Sequence, residues 1–199
     1  MRNNTLLDDP PPRAIVLEGS LNFRDLGGYL TPDGSIVRWR QVFRSDSLDG
    51  LTAQDTLALR HELESLLAID LRSGIEAQGE SDRAPGPISS VRIPLLDTPL
   101  GLDPLFVPGV PLEDVYCTLL CRIGDRIAGV LCVIADARAP VVFHCGAGRD
   151  RTGLVAAVLL GVLGVSEDDI ARDYALSSMA LPAPGAKIDG SGWRDELSP

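Results

Sequence analysis

The stretch Val141-Val-Phe-His144-Cys145-Gly-Ala-Gly148-Arg149-Asp150-Arg151-Thr152-Gly-Leu-Val-Ala-Ala-Val-Leu-Leu160 decides the fold. Its three leading apolar residues and His144 read as a short buried strand. From Thr152 to Leu163 almost every position is apolar, which predicts a buried helix. Gly146, Ala147 and Gly148 lie between them. Small residues there let backbone N–H groups approach an anion, and the following helix N-terminus adds unpaired N–H groups and a partial positive charge. Strand, small-residue loop and helix together make a phosphate cradle.

Outward from this unit, the chain alternates strands and helices. Leu66–Leu71 and Val91–Leu96 are short apolar runs read as strands. Thr52 with Asp55 predicts a capped helix to about Glu64, and Ser166 with Glu167, Asp168 and Asp169 caps a last helix. Leu112 to about Ala137 carries apolar residues at helical spacing. Residues 21–44 hold strand-like pieces around the turn Thr31-Pro-Asp-Gly34, predicting an N-terminal β-hairpin region. The fold class is therefore α/β, a central mainly parallel sheet flanked by helices. Residues 1–19 are expected to be a loose N-terminal arm, 20–180 the domain, and the Pro/Gly/Ser-rich 181–199 a disordered tail. Residues 73–90 and 97–111 are expected as loops.

Composition limits the function classes. The 199 residues suit one core, and no run of 18 apolar residues suggests a membrane span or stable membrane association. The first twelve residues have no apolar signal core, so a cytoplasmic location is expected, with leaderless secretion left open. A net charge of −10 argues against nucleic acid as a partner, so any phosphate site must be a local positive pocket. Four cysteines without a C-x-x-C pair, and only two histidines, argue against a zinc site; no metal or other cofactor is expected. Cys117, Cys121 and Cys132 lie in apolar helical sequence and are expected as small core residues.

The chemistry rests on Cys145 and Arg151, five residues apart. Spacing alone is weak: Cys132 and Arg138 share it, but their insert has no glycine and continues a helix. At the cradle, the field of loop and helix favours a thiolate, which is a competent nucleophile for phosphorus. Arg151 can clamp two phosphate oxygens and stabilise transition-state charge. Thr152 can donate a hydroxyl hydrogen bond to the sulfur, and His144 is read as orienting the loop. Gly146, Ala147, Gly148 and Arg149 complete the phosphate-binding set.

His-Cys-x-x-Gly-x-x-Arg-Thr resembles the signature of protein-tyrosine and dual-specificity phosphatases. The longer Cys-x-x-Gly-x-Asp-Arg-Thr-Gly, with Asn22-Phe-Arg-Asp-Leu-Gly-Gly28, resembles the bacterial tyrosine/serine protein phosphatase family, a branch that also acts on phosphoinositides. Val42-Phe-Arg-Ser45, Asp70-Leu-Arg-Ser73 with Glu76, and Asp173-Tyr174 fit the same pattern, so the resemblance spans about residues 20–178. It implies a protein-tyrosine-phosphatase-like fold and a phosphocysteine intermediate. The chain departs from the family in having Arg149 where Lys is usual, which implies altered geometry toward a second anionic group. It also ends in a Pro/Gly tail where relatives often carry covering helices, so an open site is expected.

A leaving oxygen needs a proton and a water must later be activated, tasks for one carboxylic acid. The resemblance favours Asp150; Asp97 and Asp103, in the long loop, are the alternatives. Arg24 and Asp25 are expected to buttress the catalytic loop, with Asp70 and Arg72 as further buttresses. The leading function is phosphomonoester hydrolysis on phosphotyrosine, with dual specificity open. A small phosphorylated metabolite, a nucleotide or a phosphoinositide is the alternative substrate, and a non-catalytic phosphate-binding module the weaker alternative. The partner is then a phosphorylated protein or small molecule; nothing in the residues sets the oligomeric state.

Overall fold

The computed structural model describes residues 11–77, 88–98 and 109–180. Among them, β1 is Arg24–Asp25, β2 Val42–Ser45, α1 Ala53–Leu63, β3 Leu66–Asp70, β4 Ile88–Arg92, α2 Leu112–Asp136, β5 Val141–His144, α3 Asp150–Val162 and α4 Glu167–Ala180. The strands form one sheet in the order β1-β2-β5-β3-β4. β1 pairs antiparallel with β2; every other pairing is parallel, as the alternating pattern requires.

Side chains alternate across the sheet and separate two cores. Ile69, Val141 and Phe143 pack on one face with Leu119, Ile123 and Ile127 of α2 and Val155 and Leu160 of α3. Phe43, Leu66, Ala68 and Val142 pack on the other with Leu59 and Leu63 of α1 and with Leu17. Helices thus cover both faces, which is why β5 is buried along its whole length.

The caps formed as expected. Thr52 and Asp55 make a reciprocal capping box at the start of α1. Asp55 also accepts from the amides of Glu18 (2.7 Å) and Gly19 (2.9 Å). Those bonds, with buried Leu17, hold the described part of the expected loose arm, residues 11–19, against the domain. At α4, the Asp169 amide donates to Ser166 Oγ at 3.2 Å. The expected tail at 181–199 lies outside the described residues.

Two expectations are corrected. The fourth strand runs 88–92 rather than 91–96, because Pro94 has no amide to give a ladder and Leu95 and Leu96 instead turn into the core. Cys117, Cys121 and Cys132 are exposed, not core. α2 buries Val115, Leu119, Ile123, Ile127 and Val130, and Cys117 and Cys121 each follow a buried residue by two positions, on the opposite face. Among the described residues, no helix is long and apolar enough to cross a membrane.

Candidate active site

β5 lies between two parallel neighbours, and its last residue is level with theirs: His144 aligns with Ser45 of β2 and with Asp70 of β3. All three chains therefore leave the sheet at the same carboxyl edge, where ligands of open α/β sheets bind. The segments after β2 and β3 become the walls of the loop that follows β5.

That loop is held by its carbonyl oxygens. The Ser47 amide donates to Gly146 O at 2.8 Å. Asn22 Nδ2 donates to Ala147 O (3.1 Å) and Gly148 O (3.2 Å), and Arg44 Nη2 donates to Gly148 O at 2.9 Å. A trans peptide carries its N–H opposite its C=O. With three successive carbonyls drawn outward, the amides of Ala147, Gly148 and Arg149 face the interior of the loop, where an anion would sit.

Gly148 is required by this arrangement. Its φ is +68°, and an added Cβ would lie 2.4 Å from Ser45 O and 2.5 Å from the Asp46 amide nitrogen. Gly148→Ala is therefore expected to destabilise the fold by at least about 2 kcal/mol, from left-handed strain plus the clash with backbone that cannot yield. Urea unfolding measures it. Gly146 has open space around it and lacks that steric demand.

Cys145 lies at the floor of the loop and is buried, with Thr152 Oγ1 donating to its Sγ at 3.1 Å. Arg151, in the first turn of α3, is 4% exposed and pairs both terminal nitrogens with Glu76 at 2.6 Å each. Glu76 is itself fixed by the amide and hydroxyl of Ser73, both at 2.9 Å. Arg151 Nε is buried and has no hydrogen-bond partner among the described residues. A buried N–H without a partner is costly, and an oxyanion in the loop would satisfy it. Burial pulls the Arg151 guanidinium down, but Glu76 and Cys145 beside it hold it above its ordinary value.

Beneath the loop is a buried charge cluster. Asp173 of α4 accepts from Arg24 Nε (3.1 Å), Arg44 Nη1 and the Tyr29 hydroxyl (3.2 Å). Arg24 also reaches Asn22 Oδ1 and the Ser177 hydroxyl, so the residue that holds the loop carbonyls is held in turn. Arg24, Arg44 and Asp173 are each no more than 1% exposed. Burial and the nearby Arg24 push Arg44 down to about 10, although Asp173 opposes the shift. Two cations on one carboxylate place positive charge under Cys145 in a chain of net charge −10.

Of the other expected residues, Asp150 opens α3. Its Oδ1 accepts from the Tyr116 hydroxyl, and Arg149 Nε points to the same oxygen at 3.4 Å. The Arg149 side chain is about half exposed at the rim. His144 is buried and donates from Nδ1 to Cys145 O at 3.4 Å; burial holds its pKa below the ordinary histidine value, although Asp70 opposes the shift. Asp97 is exposed, and both its carboxylate oxygens accept from Arg126 Nη2, at 2.9 and 3.0 Å. Asp103 lies outside the described residues. Asp25, expected beside Arg24 under the loop, points the other way, as strand alternation demands: it accepts from the amides of Gly27 and Arg40, both at 2.7 Å. Asp70 pairs with Arg72 Nε at 2.9 Å, and the Arg72 guanidinium continues to Asp49 and Ser47, beside the loop.

The sequence reading assigned no role to Asn22, Arg44, Glu76, Tyr116, Asp173 or Ser177. Asn22, Arg44, Glu76 and Asp173 entered only as parts of the family pattern, and Arg44 also carries a local signal, a charge in the middle of a buried strand, which demands a partner. That partner lies 129 residues away.

A Cupriavidus necator protein whose name places it among tyrosine-protein phosphatases is 31% identical over 166 residues, 79% of this chain and 60% of that protein. The chain thus spans less than two thirds of that relative's length. The triple specificity protein phosphatase PtpB of Mycobacterium tuberculosis is 28% identical over 86% of this chain and 72% of its own. A solved structure of TpbA from P. aeruginosa aligns over 76% of this chain and 83% of its own, with 19% identity and a TM-score of 0.39. Residues 15–191 match the sequence model of the tyrosine phosphatase family, and the chain belongs to that family.

Proposed function

We propose that this chain hydrolyses phosphate monoesters through a phosphocysteine at Cys145, with protein phosphotyrosine as the main substrate class. The observation that carries this reading is a buried thiol beneath inward-facing amides, with an Arg151 Nε in the same site that has no partner among the described residues. A pure phosphate binder has no use for a nucleophile there.

In the first step the Cys145 sulfur attacks phosphorus and the bond to the ester oxygen breaks. The loop amides and Arg151 hold the three remaining oxygens as charge builds on them. Asp150 gives its proton to the departing oxygen. In the second step the Asp150 carboxylate takes a proton from water as that water attacks phosphorus, and inorganic phosphate leaves the restored thiolate. Every atom moved is supplied by the chain, the ester and water.

Phosphotyrosine peptides, phosphoserine peptides, nucleotides, sugar phosphates and phosphoinositides assayed side by side test the substrate class. The highest kcat/KM is expected on phosphotyrosine; a preference for any small phosphate ester would overturn that part. Asp150→Asn is expected to remove the basic limb of the kcat–pH profile, where the acid loses its proton. If the limb persists in Asp150→Asn and vanishes in Asp97→Asn or Asp103→Asn, the acid is elsewhere. The described residues hold four free thiols, three of them exposed, a pattern suited to the reducing cytoplasm as the place of action.

A further inference from the structure

Two tyrosines from different helices meet at Asp150, and the proposed mechanism gives them no task. Tyr116 of α2 and Tyr174 of α4 have ring centroids 6.2 Å apart, edge to face, and hydroxyls 2.8 Å apart. The Tyr174 ring lies over Gly153, where an added Cβ would be 2.8 Å from it, so the glycine admits the ring. Tyr116 has one hydroxyl proton and gives it to Asp150 Oδ1, since an ionised carboxylate only accepts. Tyr174 must then donate to the Tyr116 oxygen. The result is a directed chain, Tyr174 to Tyr116 to Asp150 Oδ1.

We propose that Tyr116, backed by Tyr174, is a positioning residue that occupies Asp150 Oδ1 and leaves Oδ2 as the oxygen that carries and delivers the catalytic proton. Arg149 Nε approaches the same Oδ1 at 3.4 Å, and among the described residues no donor reaches Oδ2. A carboxyl with one oxygen engaged by two donors takes its proton on the other. The same contacts fix the plane of the carboxyl, which a lone side chain at a helix N-terminus could rotate. The groups facing Asp150 are Tyr116 from α2, Tyr174 from α4, and Arg149 and Arg151 from the loop and α3. Burial, then the bond to Asp150, raises Tyr116 well above an ordinary tyrosine, so it stays neutral and a donor throughout the working pH range.

The inference rests on Asp150 being the general acid, and the test separates the two. Tyr116→Phe keeps the ring and removes the donor. A donor to the carboxylate favours the ionised form, so its loss makes Asp150 hold its proton more tightly. The basic limb of the kcat–pH profile is expected to move up by about one pH unit, a tenfold change in proton affinity. Tyr174→Phe, one bond further away, is expected to shift it the same way by less. A role in packing alone would lower stability or kcat without moving the limb. If Asp150→Asn keeps the limb, Asp150 is not the acid and both readings fall. If Asp150→Asn removes the limb while Tyr116→Phe and Tyr174→Phe leave it where it is, the tyrosine chain alone is refuted.

Discussion

Cys145→Ser is expected to lower turnover by on the order of 10^4-fold or more while the site still takes up phosphate. Serine's hydroxyl is not ionised near neutral pH, so the attacking electron pair is lost. The binding apparatus does not depend on the sulfur. The loop is shaped by bonds to its carbonyls from Ser47, Asn22 and Arg44, and Arg151 is set by Glu76. Each of these contacts survives the substitution. Steady-state rates on a phosphotyrosine peptide, paired with calorimetric titration of inorganic phosphate, separate the two properties. Loss of both would mean that the sulfur shapes the loop; turnover near wild type would remove Cys145 from the chemistry.

Asp173→Ala is the largest expected effect on stability. Asp173 is 1% exposed and is the shared carboxylate of Arg24 and Arg44, both buried. Removing it leaves two desolvated guanidinium groups facing each other without a counter-charge. Breaking a buried pair in this way costs about 3–5 kcal/mol. For a domain of this size the melting temperature then falls on the order of 10 °C. Activity falls as well, because Arg44 and, through Arg24, Asn22 set the Gly148 carbonyl. The wild type carries a matching pH signature. Burial raises the Asp173 carboxyl, but Arg44 and Arg24 outweigh it and hold the group below its ordinary value of 3.8. A group depressed in the folded state contributes stability above its unfolded pKa, and that contribution is lost as pH falls through the folded value. Wild type is therefore expected to weaken below about pH 4, and Asp173→Ala to show a shallower loss over the same range. Equal acid sensitivity in both proteins would refute the role given to this carboxylate.

Parts of the molecule whose cause is local were legible in the sequence. The strand Val141–His144, the loop after it and the helix α3 follow from a few consecutive residues, as do the caps at Thr52 and Ser166. α3 begins at Asp150, two residues before the apolar run, because the loop turns into helix as soon as its last carbonyl is tied. β4 was displaced because it is an edge strand with exposed Ser89 and Ser90, so its pattern is not apolar. The cysteines of α2 were misplaced because an apolar-rich helix offers two faces, and only the Val115–Val130 stripe meets the sheet.

The site divides in the same way. Cys145, Arg151, Thr152 and Asp150 lie within one short segment and could be read together. What holds them comes from other elements: Glu76 from beyond β3, Asn22 and Arg44 from the N-terminal strands, Tyr116 from α2, and Asp173 and Tyr174 from α4. Their roles depend on pairings across the fold, which no local pattern encodes. Asp25 shows the converse: adjacency to Arg24 suggested a shared task, but successive strand residues face opposite sides.

Rapid denaturation of the enzyme during turnover of a phosphotyrosine peptide, followed by peptide mass analysis, tests the covalent route most directly. One phosphoryl group on Cys145 is the expected result, accumulating further in Asp150→Asn, where water activation is impaired. A phosphoryl group on another residue, or none on the enzyme while phosphate is being released, would contradict it.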